Sequence, residues 1–184
     1  MSKEIWFCSD HHLGHANLLK FKGKDGHPGR TRFGSIEEHN EYIVHCHNSV
    51  VKPGDIVYML GDVCWNSSSV KLLKQMTGNK TIIMGNHDKQ KTNSYIGSVN
   101  ELRGAMYFGR GINAIMTHIP VHNSQLNGTR FDYNIHGHMH THKIADPRYL
   151  NVCMEQINYT PINLDEVVKR LSDQQREYEE QKYV

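Results

Sequence analysis

Apolar residues fall in short runs, and most runs end on a polar side chain able to do chemistry. Glu4 to Ser9 (EIWFCS) is rich in strand formers and stops at Asp10. Asp55 to Leu60 (DIVYML) predicts a buried strand that closes on Gly61-Asp62. Thr81 to Met84 runs into Gly85-Asn86-His87-Asp88, Asn113 to Thr117 delivers His118, and Tyr133 to Ile135 leads into a histidine-rich stretch. Helical patterns lie between. Ser35-Ile-Glu-Glu38 is a capping box, and it predicts a helix with Ile36, Ile43, Val44 and Val50 along one side, stopped by Pro53-Gly54. Ser67 to Ser69 predicts the cap of a second helix through Val70, Leu72, Leu73 and Met76, with Gly78 as its C-terminal cap. Tyr149 to Cys153 adds a strand, and Asn163-Leu-Asp-Glu166 caps a charged final helix toward Val184.

Strand, polar residue and helix recur in that order, which argues a layered α/β domain. In such folds functional groups gather at the carboxyl ends of strands, where loops converge. No internal repeat is visible, and 184 residues suit one domain over positions 1–184 with a sizeable core. The stretch from Lys20 to Arg32 (KFKGKDGHPGRTR) is basic and loop-like, and its composition predicts an exposed flap.

A formal net charge of +2 is too small to favour nucleic acid by charge alone. The longest apolar runs, such as Ile56 to Leu60, are too short to span a bilayer. Met-Ser-Lys-Glu enters a strand-like run at once, with no signal-peptide pattern. Cys8, Cys46, Cys64 and Cys153 form neither a C-x-x-C pair nor zinc-ribbon spacing, so reduced thiols and a cytoplasmic location are expected. The anomaly is histidine. There are 14, clustered at His11, His12 and His15, at His118 and His122, and at His136, His138, His140 and His142. Imidazole binds metals and moves protons, so the clustering asks for a chemical explanation.

The strand ends collect Asp10 and His12, Asp62, Asn86 and His87, His118, then His138 and His140. Mixed carboxylate, amide and imidazole donors suit manganese, iron or zinc rather than a cysteine-rich structural zinc site. Leaving His87 aside, seven donors exceed one four-coordinate ion and suit two ions sharing a carboxylate. Together, Asp10-x-His12, Gly61-Asp62, Gly85-Asn86-His87-Asp88, Thr117-His118 and Gly137-His138-Met139-His140 resemble the calcineurin-like metallophosphoesterase superfamily, in that family's order. Ser9 to Asn17, Phe33 to Asp62, His118-Ile-Pro120 and Tyr159 to Glu166 resemble its small single-domain bacterial and phage members, so the likeness spans nearly the whole chain.

The resemblance implies a four-layer sandwich, two packed mixed β-sheets flanked by helices. It also implies that Asp10, His12 and His140 hold one divalent ion, that Asn86, His118 and His138 hold a second, and that Asp62 bridges them. Manganese is the favoured ion, with iron, zinc or nickel as alternatives. His87 would be the general acid for the leaving oxygen, and a hydroxide bridging the ions the nucleophile. The expected substrate is a small phosphate ester or nucleotide, a phosphodiester or cyclic phosphodiester ahead of a monoester, with nucleic acid only as a short substrate. The rival is a non-catalytic scaffold on the same fold, which usually betrays itself by a missing ligand or acid; here every position is filled.

Other residues carry weaker expectations. Asp88 could orient the His87 ring. His15 and Asn17 could contact phosphate or support the neighbouring ligands, and Arg30 and Arg32 could clamp a substrate phosphate. Trp65 could offer a stacking surface, with Cys64 packing inside. His11 is expected to be an exposed neighbour, and His136 and His142 non-ligands. His39, His45 and His47 fall on the first helix, solvated or packed, with His39 able to face the site. Asp10-His11-His12 also matches the triplet of another phosphoesterase superfamily, but there upstream aspartates precede it, and here only Glu4 does.

Overall fold

The computed structural model describes residues 3–22 and 29–182. Among the described residues, nine strands form two sheets. The first contains β1 (Ile5–Cys8), β2 (Ile56–Met59), β3 (Asn79–Ile83), β4 (Glu101–Arg103) and β9 (Ile162–Asn163), in the order β4-β3-β2-β1-β9. The second contains β5 (Met106–Phe108), β6 (Ala114–Thr117), β7 (Tyr133–His136) and β8 (Tyr149–Asn151), in chain order. Both are mixed: β1 to β4 run parallel with β9 antiparallel, and β6 to β8 run parallel with β5 antiparallel. The expected α/β architecture of two mixed sheets with helices is therefore present.

The sheets meet through aromatic side chains. Phe108 of β5 sits edge-on to Phe7 of β1 at 5.3 Å and to Tyr58 of β2 at 5.8 Å. Phe7, Val57, Met59, Ile82, Met116 and Ile135 are wholly buried in the same apolar cluster. Parallel pairing aligns the carboxyl ends of β1, β2 and β3 in one sheet and of β6 and β7 in the other. That alignment gathers the functional loops on one side.

Helix α1 (Ile36–Val50) starts as its sequence predicts, with Ser35 Oγ accepting from Glu38 N–H at 3.1 Å. The Glu38 carboxylate reaches the Gly34 N–H rather than that of Ser35. Its buried face is His39, Ile43, Cys46 and His47; Ile36, Val44 and Val50 are only half-buried. The second expected helix is instead a 3-10 segment, Ser69–Gln75. Its buried apolar residues are Val70 and Leu73, with Met76 buried just past its end, and a spacing of three matches the 3-10 repeat. Its N-cap residue is Ser68, within the expected Ser67 to Ser69, but the side-chain bond to the Ser69 N–H comes from Asn66 Oδ1 at 2.9 Å. Helix α2 (Leu164–Gln181) opens on Asn163, as expected, and packs on β1, β8 and β9.

Candidate metal centre

Seven side chains converge at the aligned strand ends, and the backbone there is unusual. Asp10, His12, Asp62, His138 and His140 all have left-handed φ, between +49° and +67°. Such conformations cost non-glycine residues on the order of 1–3 kcal/mol each and persist only where surroundings over-determine them. Here Asp10 and His12 N–H groups donate to Gly61 and Asp62 carbonyls at 2.9 Å, and His138 N–H donates to Asp10 Oδ2 at 2.9 Å. The motif glycines have a steric reason. A Cβ on Gly61 would lie 2.5 Å from His118 Nδ1, one on Gly85 would overlap the Asp62 carboxylate, and one on Gly137 would overlap the Ser9 hydroxyl and the Asp10 carboxylate.

The donors form two groups, Asp10, His12 and His140, and Asp62, His118 and His138. Within each, one ligand atom per residue lies within 4.8 Å of the others. Asp10 Oδ1 is 3.7 Å from His12 Nε2 and 3.5 Å from His140 Nε2. Asp62 Oδ2 is 3.4 Å from His118 Nε2 and 3.7 Å from His12 Nε2, so one oxygen faces both groups. Asn86 Oδ1 adjoins the second group, 2.9 Å from His118 Nε2.

The opposite edge of most of these groups is already occupied. Asp10 Oδ2 accepts from Ser9 Oγ at 2.5 Å and Cys153 Sγ at 3.1 Å as well as from His138 N–H. Asp62 Oδ1 accepts from His87 N–H at 2.8 Å. His118 Nδ1 donates to Leu60 O at 2.8 Å and His140 Nδ1 to Glu155 Oε1 at 3.1 Å. A carbonyl and a carboxylate can only accept, so both rings carry their proton on Nδ1 and turn an Nε2 lone pair inward. Asp10 Oδ1 and His12 Nε2 are buried with no hydrogen-bond partner among the described residues. Convergent buried acceptors without donors are costly, and a cation is the group that relieves them. The residues present therefore fit divalent metal.

Electrostatics divide the donor set: against burial, Asp62 draws His118 up and Glu155 draws His140 up. Burial works against ionising Asp10 and Asp62. Contacts with His12 at Asp10, and with His118 and the His87 N–H at Asp62, outweigh it and hold both carboxyls low. Burial likewise pushes His12 down, toward the neutral form a metal needs.

His87 belongs to neither group. Its side chain is 35% exposed, with Nε2 4.0 Å from Asp62 Oδ2 and its ring 5.5 Å from that of His12. Trp65 lies 5.0 Å from the His87 ring, is 39% exposed, and stacks on His15 at 3.5 Å and 7°. His15 in turn places Nδ1 3.2 Å from His12 Nδ1, so it supports a candidate ligand.

Several sequence expectations fail. Arg30 is not on an exposed flap: it is 1% exposed and bonds inward to Glu155 and to the Asp10 and His11 carbonyls, leaving no free guanidinium for substrate. Residues 23–28 of the expected flap lie outside the described residues. Arg32 packs its guanidinium against the rings of Phe33, Tyr42 and Tyr159. Asp88 does not orient the His87 ring; its oxygens accept from Val63, Cys64 and Gly85 N–H, tying the two loops together. His11 is buried, not exposed, and His39 meets Arg30 rather than the donors. Asn17 is exposed on a 3-10 turn, Ala16–Lys20. His136 and His142, by contrast, were expected to be non-ligands; they lie outside both donor groups and turn Nδ1 to the Gly137 and Met139 carbonyls. Glu155, Ser9 and Cys153 were missed. Glu155 follows the end of β8, so the rule that located Asp10 and Asp62 could have found it.

A family model described as calcineurin-like phosphoesterase matches residues 3–117, which include Asp10, His12, Asp62, Asn86 and His87. An uncharacterized protein of Methanocaldococcus jannaschii is 31% identical over 179 residues, spanning 91% of this chain and 90% of that protein. The gene 66 protein of Mycobacterium phage D29 is 23% identical, spanning 92% of this chain and 96% of its own. A solved protein of unknown function from Aquifex aeolicus shares the fold, with a TM-score of 0.70 at 22% identity over 91% of this chain and 99% of that one. With donors, fold and matched model in agreement, the chain belongs to the calcineurin-like phosphoesterase family.

Proposed function

We propose that the protein hydrolyses small phosphodiesters, nucleotide-like ones first, and that it does so with two divalent ions, manganese ahead of iron, zinc or nickel. The observation that carries this reading is Asp62 Oδ2, within 3.7 Å of imidazoles from both donor groups. Asp10, His12 and His140 would hold one ion, Asn86, His118 and His138 the other, and Asp62 both. Ions held there would supply Lewis acidity toward phosphoryl oxygens and the activation of water at neutral pH.

The chain's own contribution is positioning and a proton. Left-handed backbone at five donor positions and outward-facing hydrogen bonds hold the donors before substrate arrives. His87, beside the centre but outside both groups, donates a proton to the leaving oxygen from Nε2. Room for two substituents favours a diester. A cleft of about 380 Å³ beside His138 and His140, walled by Leu18, Phe21 and Met139, takes one, and Trp65 beside His87 faces the other. No helix among the described residues is long and apolar enough to cross a membrane. Four free, buried cysteines suit a reducing compartment such as the cytoplasm.

The test is hydrolysis of bis-p-nitrophenyl phosphate and p-nitrophenyl phosphate with added manganese, then of cyclic nucleotides, dinucleotides, mononucleotides and short RNA. Diesters should be turned over faster than monoesters, and Asp62→Ala should lose both bound metal and rate. Two ions bound with no turnover on any ester would favour a scaffold instead. Full occupancy and rate in Asp62→Ala would refute the bridging role.

A further inference from the structure

Arg30 and Glu155 form a buried pair on one side of the centre, 1% and 3% exposed at their side chains. A buried guanidinium is costly unless its donors are matched. Arg30 Nε donates to Glu155 Oε1 at 2.9 Å, Nη1 lies 2.7 Å from the His11 carbonyl and 3.0 Å from His39 Nε2, and Nη2 donates to the Asp10 carbonyl. The same Glu155 Oε1 accepts from His140 Nδ1. These contacts are one-sided. The pair grips the backbone at Asp10 and His11, just before His12, and the ring of His140. It makes none of the bonds that fix Asp62 or His118, whose supports are His87 N–H and the Leu60 carbonyl.

We infer that Arg30 and Glu155 are positioning residues for one ion only, the one held by Asp10, His12 and His140. This rests on the two-ion reading above. Arg30 braces the left-handed turn that aims Asp10 and His12, with φ of +59° and +51°. Its charge also offsets that of Glu155, whose Oε1 serves as the acceptor that sets the His140 tautomer. Outer partners of this kind are worth about 10–100-fold in metal affinity.

The experiment measures Mn²⁺ affinity by equilibrium dialysis in single-site backgrounds. Glu155→Gln, close in size, is added to His118→Ala, which leaves the Asp10 group, and to His12→Ala, which leaves the Asp62 group. Affinity should fall about 10–100-fold in the first background and hold in the second. Arg30→Lys, which keeps a cation but not the fork onto two carbonyls, should weaken the same ion by less. Melting temperature and near-UV circular dichroism verify folding of each variant. Wild-type protein with two ions, and either variant with unchanged affinity in the first background or equal loss in both, overturns this inference alone. Wild-type protein that binds no divalent ion overturns the two-ion reading and this inference with it.

Discussion

His87 shows how position decides a residue's role when chemistry alone does not. It adjoins Asn86 in the chain, yet its ring stays outside both donor groups and is more exposed than most of them. A ring so placed can exchange protons with a substrate without letting go of an ion. His87→Ala should therefore keep both metals while losing about 10²–10⁴-fold in rate. The loss should be largest for poor leaving groups, and a series of aryl esters of rising leaving-group pKa measures it directly. Loss of a metal from this variant, read by elemental analysis, would move His87 into the ligand set.

At the scale of elements, the loops matter more than the strands they leave. Each motif glycine stands where another strand end passes too close for a side chain, which is why the pairs Gly61-Asp62 and Gly137-His138 read as units. Gly137→Ala should cost about 1–3 kcal/mol, as overpacking does. It should also weaken metal binding by forcing Ser9 and Asp10 apart. Gly104, with nothing within 4 Å of an added Cβ, is the matched control, and Gly104→Ala should leave both unchanged. Urea unfolding and Mn²⁺ dialysis on the two variants decide it.

Across the whole molecule, the buried face of α1 is built partly from histidine. His47 Nε2 bonds the Thr77 carbonyl at 2.8 Å while Nδ1 has no partner among the described residues. Burial first, then the Lys80 charge, push its pKa from 6.5 down to about 4, against the pull of Thr77. The unfolded chain therefore binds this proton more readily than the folded one. The contribution to stability is complete above pH 6.5 and is lost as pH falls toward 4, amounting to about 2–3 kcal/mol by pH 4.5. His47→Gln should flatten that slope in urea titrations at pH 7 and pH 4.5. An unchanged slope would mean that other groups carry the acid sensitivity.

Local chemistry made much of this protein readable before folding is considered. Apolar runs closing on Asp10, Asp62, Asn86 and His118 gave away the strand ends, because a strand's burial and its polar stop are properties of neighbouring residues. Ser35 and Asn163 announced their helices by the same local logic. The capping bonds span only three positions. What composition could not convey is which side a side chain faces. Arg30 and Arg32 read as basic loop and fold as a buried clamp and an aromatic-packed cation, and His11 and His39 share the first fate. Glu155 joins the centre only because β8 ends beside β1. Asp10 Oδ2 meets the His138 N–H across 128 positions, and such contacts form only after the two sheets dock. Burial and long-range hydrogen bonding belong to the docked sheets, and they decided which charged residues line the candidate centre and which are tied into the fold.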